Sequence, residues 1–239
     1  MDFFDNYVSN YDMNITAINY KYYHSKRVMD NMIILAKNMN LSYYEIRLAS
    51  CIGLLHDIGR FEQYKRYLSF DDSNMDHGDY GEEILRKTNA LKNFDILEED
   101  YEVVYKAIRN HNKYKIEPNL SKKELLFAKM IRDADKLDII YAISNSEIKS
   151  VIREDDGIIR DKIKEEFFSN KQVTKDEKEN KNEKIIIMFS FVFDFNFNIS
   201  LNILKYKNYY EKIYERLKHK ELFKPYIEHI IKYINERTD

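Results

Sequence analysis

The stretch GLLHDIGR, residues 53–60, sets a histidine and an aspartate side by side inside an apolar run. Leucines precede His56 and Asp57 and an isoleucine follows them, so the pattern predicts that both are buried. An ionised carboxylate is costly in a low-dielectric interior unless it is paired, and a buried imidazole needs partners for its nitrogens. Three arrangements would compensate: a neighbouring arginine, a helix cap, or a divalent metal ion with nitrogen and oxygen ligands.

The remainder of the chain favours helices. With 239 residues, of which 44% are hydrophobic, it can bury a full core. Two prolines and five glycines leave long windows in which apolar residues recur at helical spacing, and Ser121 with Glu124 forms a Ser-x-x-Glu capping box. The sequence therefore predicts an all-α fold. The predicted helices run over residues 15–39, 43–56, 78–88, 98–109, 122–143, 148–168, 185–217 and 221–234.

The segment IIIMFSFVFDFNFNISLNIL, residues 185–204, fits two structures. Its phenylalanines alternate from Phe189 to Phe197, as in a strand, but its other apolar residues and its helical neighbours favour a buried helix, which we predict. Asp194 argues against a membrane span, because a charge near the bilayer centre costs about 2.5 to 3.5 kcal/mol. The polar run before it predicts a solvated loop. We therefore expect a helical core over 1–169, a charged loop over 170–184 and C-terminal helices over 185–239 that pack on the core.

Charge and cysteine content limit the classes of partner. The chain has 39 Lys and Arg against 41 Asp and Glu, so no global charge points to nucleic acid or to an anionic membrane. Its single cysteine, Cys51, lies in an apolar run and fits a reducing compartment, and the N-terminus does not have the pattern of a secretory signal. We expect a cytoplasmic protein that acts on a small molecule, and a homo-oligomer stays open.

Two more predicted helices direct metal-ligand residue types inward. His24 lies mid-helix with apolar residues following at steps of four, four and three, so its imidazole is expected to point into the core. Asp135 is bracketed by apolar residues in LLFAKMIRDADKLDII. A lone buried histidine is usually a hydrogen-bonded core residue, but four inward residues of the types that bind metals favour a metal site. The four are His24, His56, Asp57 and Asp135.

The order of these residues resembles that of a known family. A histidine, then His-Asp, then a distant aspartate in RDADKLD is similar to the HD superfamily of metal-dependent phosphohydrolases, and the resemblance covers about residues 20–143. It implies an all-α bundle that holds a divalent metal between helices, and the C-terminal helices predicted above are additional to that bundle. Because it joins the LLHDIGR context to both outer ligands in order, it is far more specific than the dipeptide alone.

Two further histidines extend the resemblance. His77 opens DHGDYGEEIL and His111 ends IRNHNKY, and binuclear members of the superfamily have extra histidines in similar places. The resemblance implies that Asp57 bridges two ions, with His24, His56 and Asp135 on one and with His77 and His111 on the other. Four of the five glycines, Gly53, Gly59, Gly78 and Gly81, fall around these ligands, and glycine allows a close approach of backbone.

Bound divalent ions would make phosphoester or phosphoanhydride hydrolysis the expected reaction, by activating a water and stabilising charge on phosphoryl oxygens. The predicted cofactor is one or two ions of Mn, Fe, Mg, Ni or Zn, and the predicted substrate is a nucleotide or another small phosphorylated metabolite. Asp57, Arg60 and His77 are the predicted catalytic residues, with the Arg60 guanidinium aimed at phosphate. The polar loop 67–78 is a candidate lid, and Lys65, Arg66, Lys113 and Lys136 are candidate auxiliary cations.

The resemblance supports the reaction class more than the substrate, because the sequence departs from the motifs of members that act on particular nucleotides. Cyclic-dinucleotide members carry a lysine where Arg60 stands and a later Gly-Tyr-Pro motif, whereas this chain has NHNKYKIEP. Glu62 is displaced from the acidic position that alarmone and deoxynucleotide hydrolases use. Two alternatives stay open: a di-iron oxygenase with the same ligand set, and a regulatory module that binds a nucleotide or metal without catalysis.

Overall fold

Helices dominate the computed structural model, which describes residues 3–146, 152–176 and 178–238. Within these ranges no strand occurs, so the predicted all-α class is confirmed. The chain divides into two compact units, Met1–Asp135 and Lys136–Asp239, and the division falls inside one helix. The predicted three-part organisation at 1–169, 170–184 and 185–239 stays a prediction about domains. Among the described residues, no helix combines the length and the apolar character that a membrane crossing requires.

The first unit is built mainly from α-helices. Its helices are α1 (Phe3–Val8), α2 (Thr16–Asn38), α3 (Tyr43–Leu55), α4 (Ile58–Tyr67), α5 (His77–Lys87), α6 (Tyr101–Asn110) and α7 (Lys122–Ser144), which continues past the division. Short 3-10 turns occupy Ala90–Asn93 and Glu98–Asp100. The sequence analysis missed α1 and α4. It missed α4 because the polar residues after Gly59 conceal a helix of which one side alone is buried.

Local sequence explains where these helices begin and which face they bury. Ser42 and Glu45 form a reciprocal capping box at the start of α3, and the predicted box of Ser121 and Glu124 is confirmed at the start of α7 by two hydrogen bonds of 2.7 and 3.2 Å. The inward face predicted for α2 is also confirmed. Its buried members, all with 0% exposure, are His24, Val28, Met32 and Leu35.

The helices of the first unit pack in neighbouring pairs: α2 on α3, α4 on α5 and α5 on α6. Glycine permits a close approach of α2 and α3. A Cβ atom on Gly53 in α3 would lie 2.7 Å from the Cα of Met29 in α2. Only a residue without a side chain fits there, so the glycine fixes the spacing of the two helices that carry His24 and His56.

The second unit differs most from the prediction. Its helices are α8 (Asp161–Phe168), α9 (Lys181–Phe189), α10 (Asn198–Lys207), α11 (Tyr209–Glu215) and α12 (Lys220–Thr238), with a 3-10 turn at Ser190–Asp194. The single helix predicted over 185–217 is wrong. It breaks after the phenylalanine-rich 3-10 turn and again at Asn208, whose φ of 51° is left-handed. The alternating phenylalanines form no strand.

Polar contacts explain the other two differences in this unit. The helix predicted over 148–168 begins outside the described residues, and residues 152–160 are not helical because Asp155 turns the chain back on Gly157 and the Asn182 side chain binds both backbones. The solvated loop predicted over 170–184 ends before Lys181. Glu183 is then fully buried, and it accepts a hydrogen bond of 2.7 Å from Arg160.

We expect Gly53→Ala to lower stability although alanine is the better helix former by about 1 kcal/mol. Its Cβ would push the α2 backbone away, and such overpacking costs about 1 to 3 kcal/mol. Gly81→Ala is the matched control, because its Cβ would meet the Ile108 side chain at 3.2 Å, and that side chain can move. Thermal unfolding followed by circular dichroism should show a loss of about 2 to 6 °C for Gly53→Ala and a smaller change for Gly81→Ala. Equal shifts would contradict the close-packing argument.

Candidate metal centre

The structure brings the six predicted metal ligands together inside the first unit. His24 lies in the middle of α2, His56 and Asp57 lie at the break between α3 and α4, and His77 opens α5. His111 follows the last residue of α6, and Asp135 lies in α7. The four histidines and Asp57 are 0–3% exposed, and the Asp135 side chain is 16% exposed. Residues in or next to helices, spread from position 24 to position 135 of the sequence, therefore meet in one buried cluster.

The break after α3 explains why Asp57 points into this cluster. Asp57 lies between two helices with φ of −103° and ψ of 16°, and its side chain makes no capping hydrogen bond to α4. Capping of α4 therefore does not account for the burial of Asp57. Close packing holds the next ligand nearby, because a Cβ on Gly59 would lie 2.3 Å from the carbonyl oxygen of His77. The glycine lets the start of α5 approach Asp57.

The two oxygens of Asp57 face different histidines. Asp57 Oδ2 is 3.3 Å from His24 Nε2 and 3.6 Å from His56 Nε2. Asp57 Oδ1 is 3.3 Å from His77 Nε2 and 3.6 Å from His111 Nε2. One carboxylate therefore lies between two pairs of imidazoles.

Each pair is itself close. His24 Nε2 and His56 Nε2 are 3.2 Å apart and lie 3.1 and 3.7 Å from Asp135 Oδ1, while His77 Nε2 and His111 Nε2 are 2.9 Å apart. With metal–ligand bonds of about 2.1 Å, neighbouring ligand atoms lie about 3.0 Å apart in an octahedron and about 3.4 Å apart in a tetrahedron. The separations match ligands that share an ion. The groups that can hold one include His24, His56 and Asp135, and also His56, Asp57 and His111.

Hydrogen bonds behind three of the rings set their tautomers. His56 Nδ1 lies 2.7 Å from the Gly53 carbonyl oxygen and His111 Nδ1 lies 2.6 Å from that of Ile108. A carbonyl oxygen can only accept, so both Nδ1 atoms carry hydrogen, and the neutral form of each ring has its lone pair on Nε2, directed at the cluster. His77 Nδ1 has the same arrangement with Asp72 Oδ1 at 2.7 Å. Such outer contacts are typical of metal-binding histidines.

The charges suit a cation. Burial alone would raise the pKa of Asp57, but the Lys21 ammonium and the His56 ring hold the pKa well below its usual range. The pKa of Asp135 is likewise raised by burial but held well below its usual range by hydrogen bonds with His24 and His56. Burial lowers the pKa of His111 to about 4. At neutral pH the cluster therefore presents ionised carboxylates and a neutral imidazole, the forms that bind metal.

Arg60 has a structural role that the sequence did not reveal. Its Nη1 donates to the Phe70 carbonyl oxygen at 2.7 Å and to Asp72 Oδ1 at 2.9 Å, and its Nε lies 3.6 Å from Asp57 Oδ1. Gln63, fully buried, donates to Asp72 Oδ1 at 3.0 Å and to the Met75 carbonyl oxygen at 2.7 Å. The candidate lid loop is thus bound to α4, and through Asp72 it orients His77.

Sequence reasoning missed two residues beside the cluster. Lys21 Nζ is 2.6 Å from Asp57 Oδ2, and the helical spacing of three residues before His24 could have indicated it. Asp72 could not have been found by periodicity, because it reaches His77 from an irregular loop. Arg132, buried in α7, donates to the Asn110 carbonyl oxygen at 3.2 Å and supports the chain where His111 leaves α6.

The auxiliary cations predicted from sequence have other partners. Lys65 lies over the Tyr11 ring, and Arg66 pairs with Glu62 at 2.8 Å. Lys113 Nζ is 2.6 Å from Asp76, and within the second unit Lys136 Nζ is 2.8 Å from Asp194. The contact of Lys65 is a cation–π contact, and those of Arg66, Lys113 and Lys136 are ion pairs.

Comparison with protein families agrees with this geometry. The family model for the HD domain matches residues 22–140, which include all six clustered residues. The chain therefore belongs to the HD superfamily, whose domain is all-α, whose members bind divalent metals, and which is a superfamily of metal-dependent phosphohydrolases. Comparisons with the curated proteins and with the solved structures gave no significant match.

We expect divalent ions to stabilise the protein, because a ligand that binds only the folded state at 100 times its dissociation constant adds about 2.7 kcal/mol. Mn²⁺ should raise the melting temperature by about 5 to 10 °C. Asp57→Asn should lose most of this rise, because Asp57 faces both imidazole pairs. Asp95→Asn, at an aspartate whose side chain is 83% exposed, is the control and should keep the rise. The metal-centre assignment fails if both variants respond like the wild type.

Proposed function

We propose that the chain is a binuclear, metal-dependent phosphohydrolase that cleaves a phosphoester or phosphoanhydride of a nucleotide or another small phosphorylated metabolite. The observation that carries the proposal is the position of Asp57, with one oxygen toward His24 and His56 and the other toward His77 and His111. A single carboxylate between two imidazole pairs has the arrangement of a bridge between two ions. Membership of the HD superfamily supports the reaction class.

Two further observations support the proposal, one on the ions and one on an oxygen atom of a ligand. Four imidazoles and two carboxylates form a mixed nitrogen and oxygen set, which suits Mn, Fe, Ni or Zn better than Mg, an ion that prefers oxygen ligands alone. Arg60 Nε is also a buried donor without an accepting partner among the described residues, and it faces the Asp57 side of the cluster. A buried N–H without an acceptor is costly, so an oxygen atom of a ligand would satisfy it.

We assign the following roles to the chain. When bound, divalent ions would lower the pKa of a water and stabilise charge on phosphoryl oxygens. His24, His56 and Asp135 would hold one ion, and His77 and His111 the other, with Asp57 shared. Arg60, whose Nη1 is committed to the loop, would offer Nε to a phosphoryl oxygen. His77 would be kept in position by Asp72, so its hold on the second ion depends on the loop.

The hydrolase proposal is tested by metal analysis of the purified protein, followed by a panel of nucleotides, phosphomonoesters and phosphodiesters with Mn²⁺, Fe²⁺, Ni²⁺, Zn²⁺ and Mg²⁺. Phosphate or nucleoside release should depend on added metal, and His56→Asn should lower kcat/KM about a thousandfold, equivalent to the several kcal/mol that metal catalysis supplies. His229→Asn, at a histidine that contacts Asn170 in the second unit, is the control.

The same purified protein distinguishes the hydrolase from an oxygenase and from a binding module. A di-iron oxygenase would contain iron, would consume oxygen while it oxidises its substrate, and would release no phosphate. A binding module would retain a nucleotide unchanged with metal present. Either result would replace the hydrolase proposal.

An Asp72 variant tests whether the site holds two ions rather than one. Asp72→Asn removes the charge behind His77 and should weaken one of two ion affinities by about 10- to 100-fold, as loss of an outer partner usually does, while the other is kept. Asp71→Asn, at the exposed neighbouring residue, is the control. Titration with Mn²⁺ followed by calorimetry measures both affinities. A single ion per wild-type chain would contradict the binuclear proposal and leave a mononuclear site.

A further inference from the structure

Lys21 is placed at the metal centre by α2. It lies one helical turn before His24, and its Nζ is 2.6 Å from Asp57 Oδ2, the same oxygen that faces His24 and His56. The Lys21 side chain is 14% exposed, whereas that of Asp57 is 2% exposed. The Lys21 side chain therefore lies at the edge of the cluster. Its ammonium contacts a buried carboxylate oxygen, and the side chain is partly accessible to solvent.

Arg60 is its counterpart beside the other oxygen of the same carboxylate. Arg60 Nε is 3.6 Å from Asp57 Oδ1. Both cations also lie over one aromatic ring, with Lys21 Nζ 5.4 Å and Arg60 Cζ 5.6 Å from the centroid of Phe70. Phe70 itself is held because its carbonyl oxygen accepts from Arg60 at 2.7 Å. The loop thus keeps two positive side chains next to Asp57.

This arrangement weakens metal binding when no anion is present. A lysine ammonium and a divalent ion on the same carboxylate oxygen repel each other, and a low-dielectric site strengthens that repulsion. Lys21 must therefore weaken the affinity for metal in the absence of substrate. An anionic oxygen next to both cations would remove the repulsion and would accept a hydrogen bond from the ammonium.

We propose that Lys21 is a substrate-binding residue that donates to a phosphoryl oxygen, and that it makes metal and phosphate binding cooperative. This inference rests on the proposed function and extends it to the recognition of the phosphate group. Lys21 would hold the phosphoryl group on the Oδ2 side of Asp57 and Arg60 on the Oδ1 side. The substrate class that this pair of cations fits best is a compact, doubly charged phosphate group.

Calorimetric titration of Mn²⁺, with and without inorganic phosphate, tests the inference without turnover. In the wild type, phosphate should tighten Mn²⁺ binding several-fold, and by linkage Mn²⁺ should tighten phosphate binding by the same factor. Lys21→Met should bind Mn²⁺ about 3- to 10-fold more tightly in the absence of phosphate, because the repulsion is gone. It should lose most of the phosphate effect.

Two other variants keep the result interpretable. Lys21→Arg keeps the charge and should retain the phosphate effect, which covers the case in which Lys21→Met folds poorly without metal. Lys26→Met is the matched control, because Lys26 lies on the same helix but pairs with Asp5 at 3.2 Å, with its side chain 38% exposed. It should behave like the wild type.

The opposite outcomes are distinct. Weaker Mn²⁺ binding by Lys21→Met, or an unchanged phosphate effect, would overturn the inference and make Lys21 a residue that positions Asp57. Absence of Mn²⁺ binding in the wild type would overturn the metal centre, and the inference with it. Cooperative Mn²⁺ and phosphate binding without hydrolysis of any phosphate ester would support the role of Lys21 and reject the hydrolase proposal.

Discussion

The structure of the first unit depends on keeping one ionised carboxylate, Asp57, out of water. Burial of such a group costs several kcal/mol unless opposite charge and hydrogen bonds compensate. Here the compensation comes from elements distant in sequence: Lys21 on α2, Arg60 on α4 and imidazoles from α2, α5 and the ends of α3 and α6. Because each partner must reach the same carboxylate, the helices that carry them must converge. The glycines at the α2–α3 and α4–α5 contacts allow that convergence.

The histidines of the cluster and the groups that hydrogen-bond to them from behind have different roles. The inner imidazoles present lone pairs, and carbonyl oxygens of their own helices fix the tautomers of His56 and His111 from one turn away. His77 differs, since its orienting partner is Asp72 in an irregular loop. One half of the cluster is thus built into regular helices, and the other half depends on a loop that Arg60 and Gln63 hold in place.

Sequence patterns predicted the part of the structure that helical periodicity governs. They located α2, α3, α5, α6 and α7 and the inward face of α2. They also located His24, His56, Asp57 and Asp135, because a polar residue within an apolar stripe is conspicuous, whereas His77 and His111 followed from the resemblance to the HD superfamily. They did not predict the Lys21 contact, although Lys21 lies three residues before His24, because a lysine near the start of a helix is usually solvated. They could not predict Asp72, whose approach to His77 follows from the path of a loop. In the second unit, local hydrogen bonds of Asp155 and Asn182 and the left-handed Asn208 overrode apolar patterns that favoured long helices.

The loop between α4 and α5 is held mostly through its backbone. Arg60 and Gln63 donate to the carbonyl oxygens of Phe70, Asp71 and Met75, and those acceptors exist whatever side chains the loop carries. Except at Asp72 and Phe70, mutation could therefore alter the chemistry that the loop presents to solvent without altering its course. With the loop held in this way, the ion-binding residues can be retained while the exposed side chains of the loop change. Substrate specificity can then evolve without loss of the metal centre.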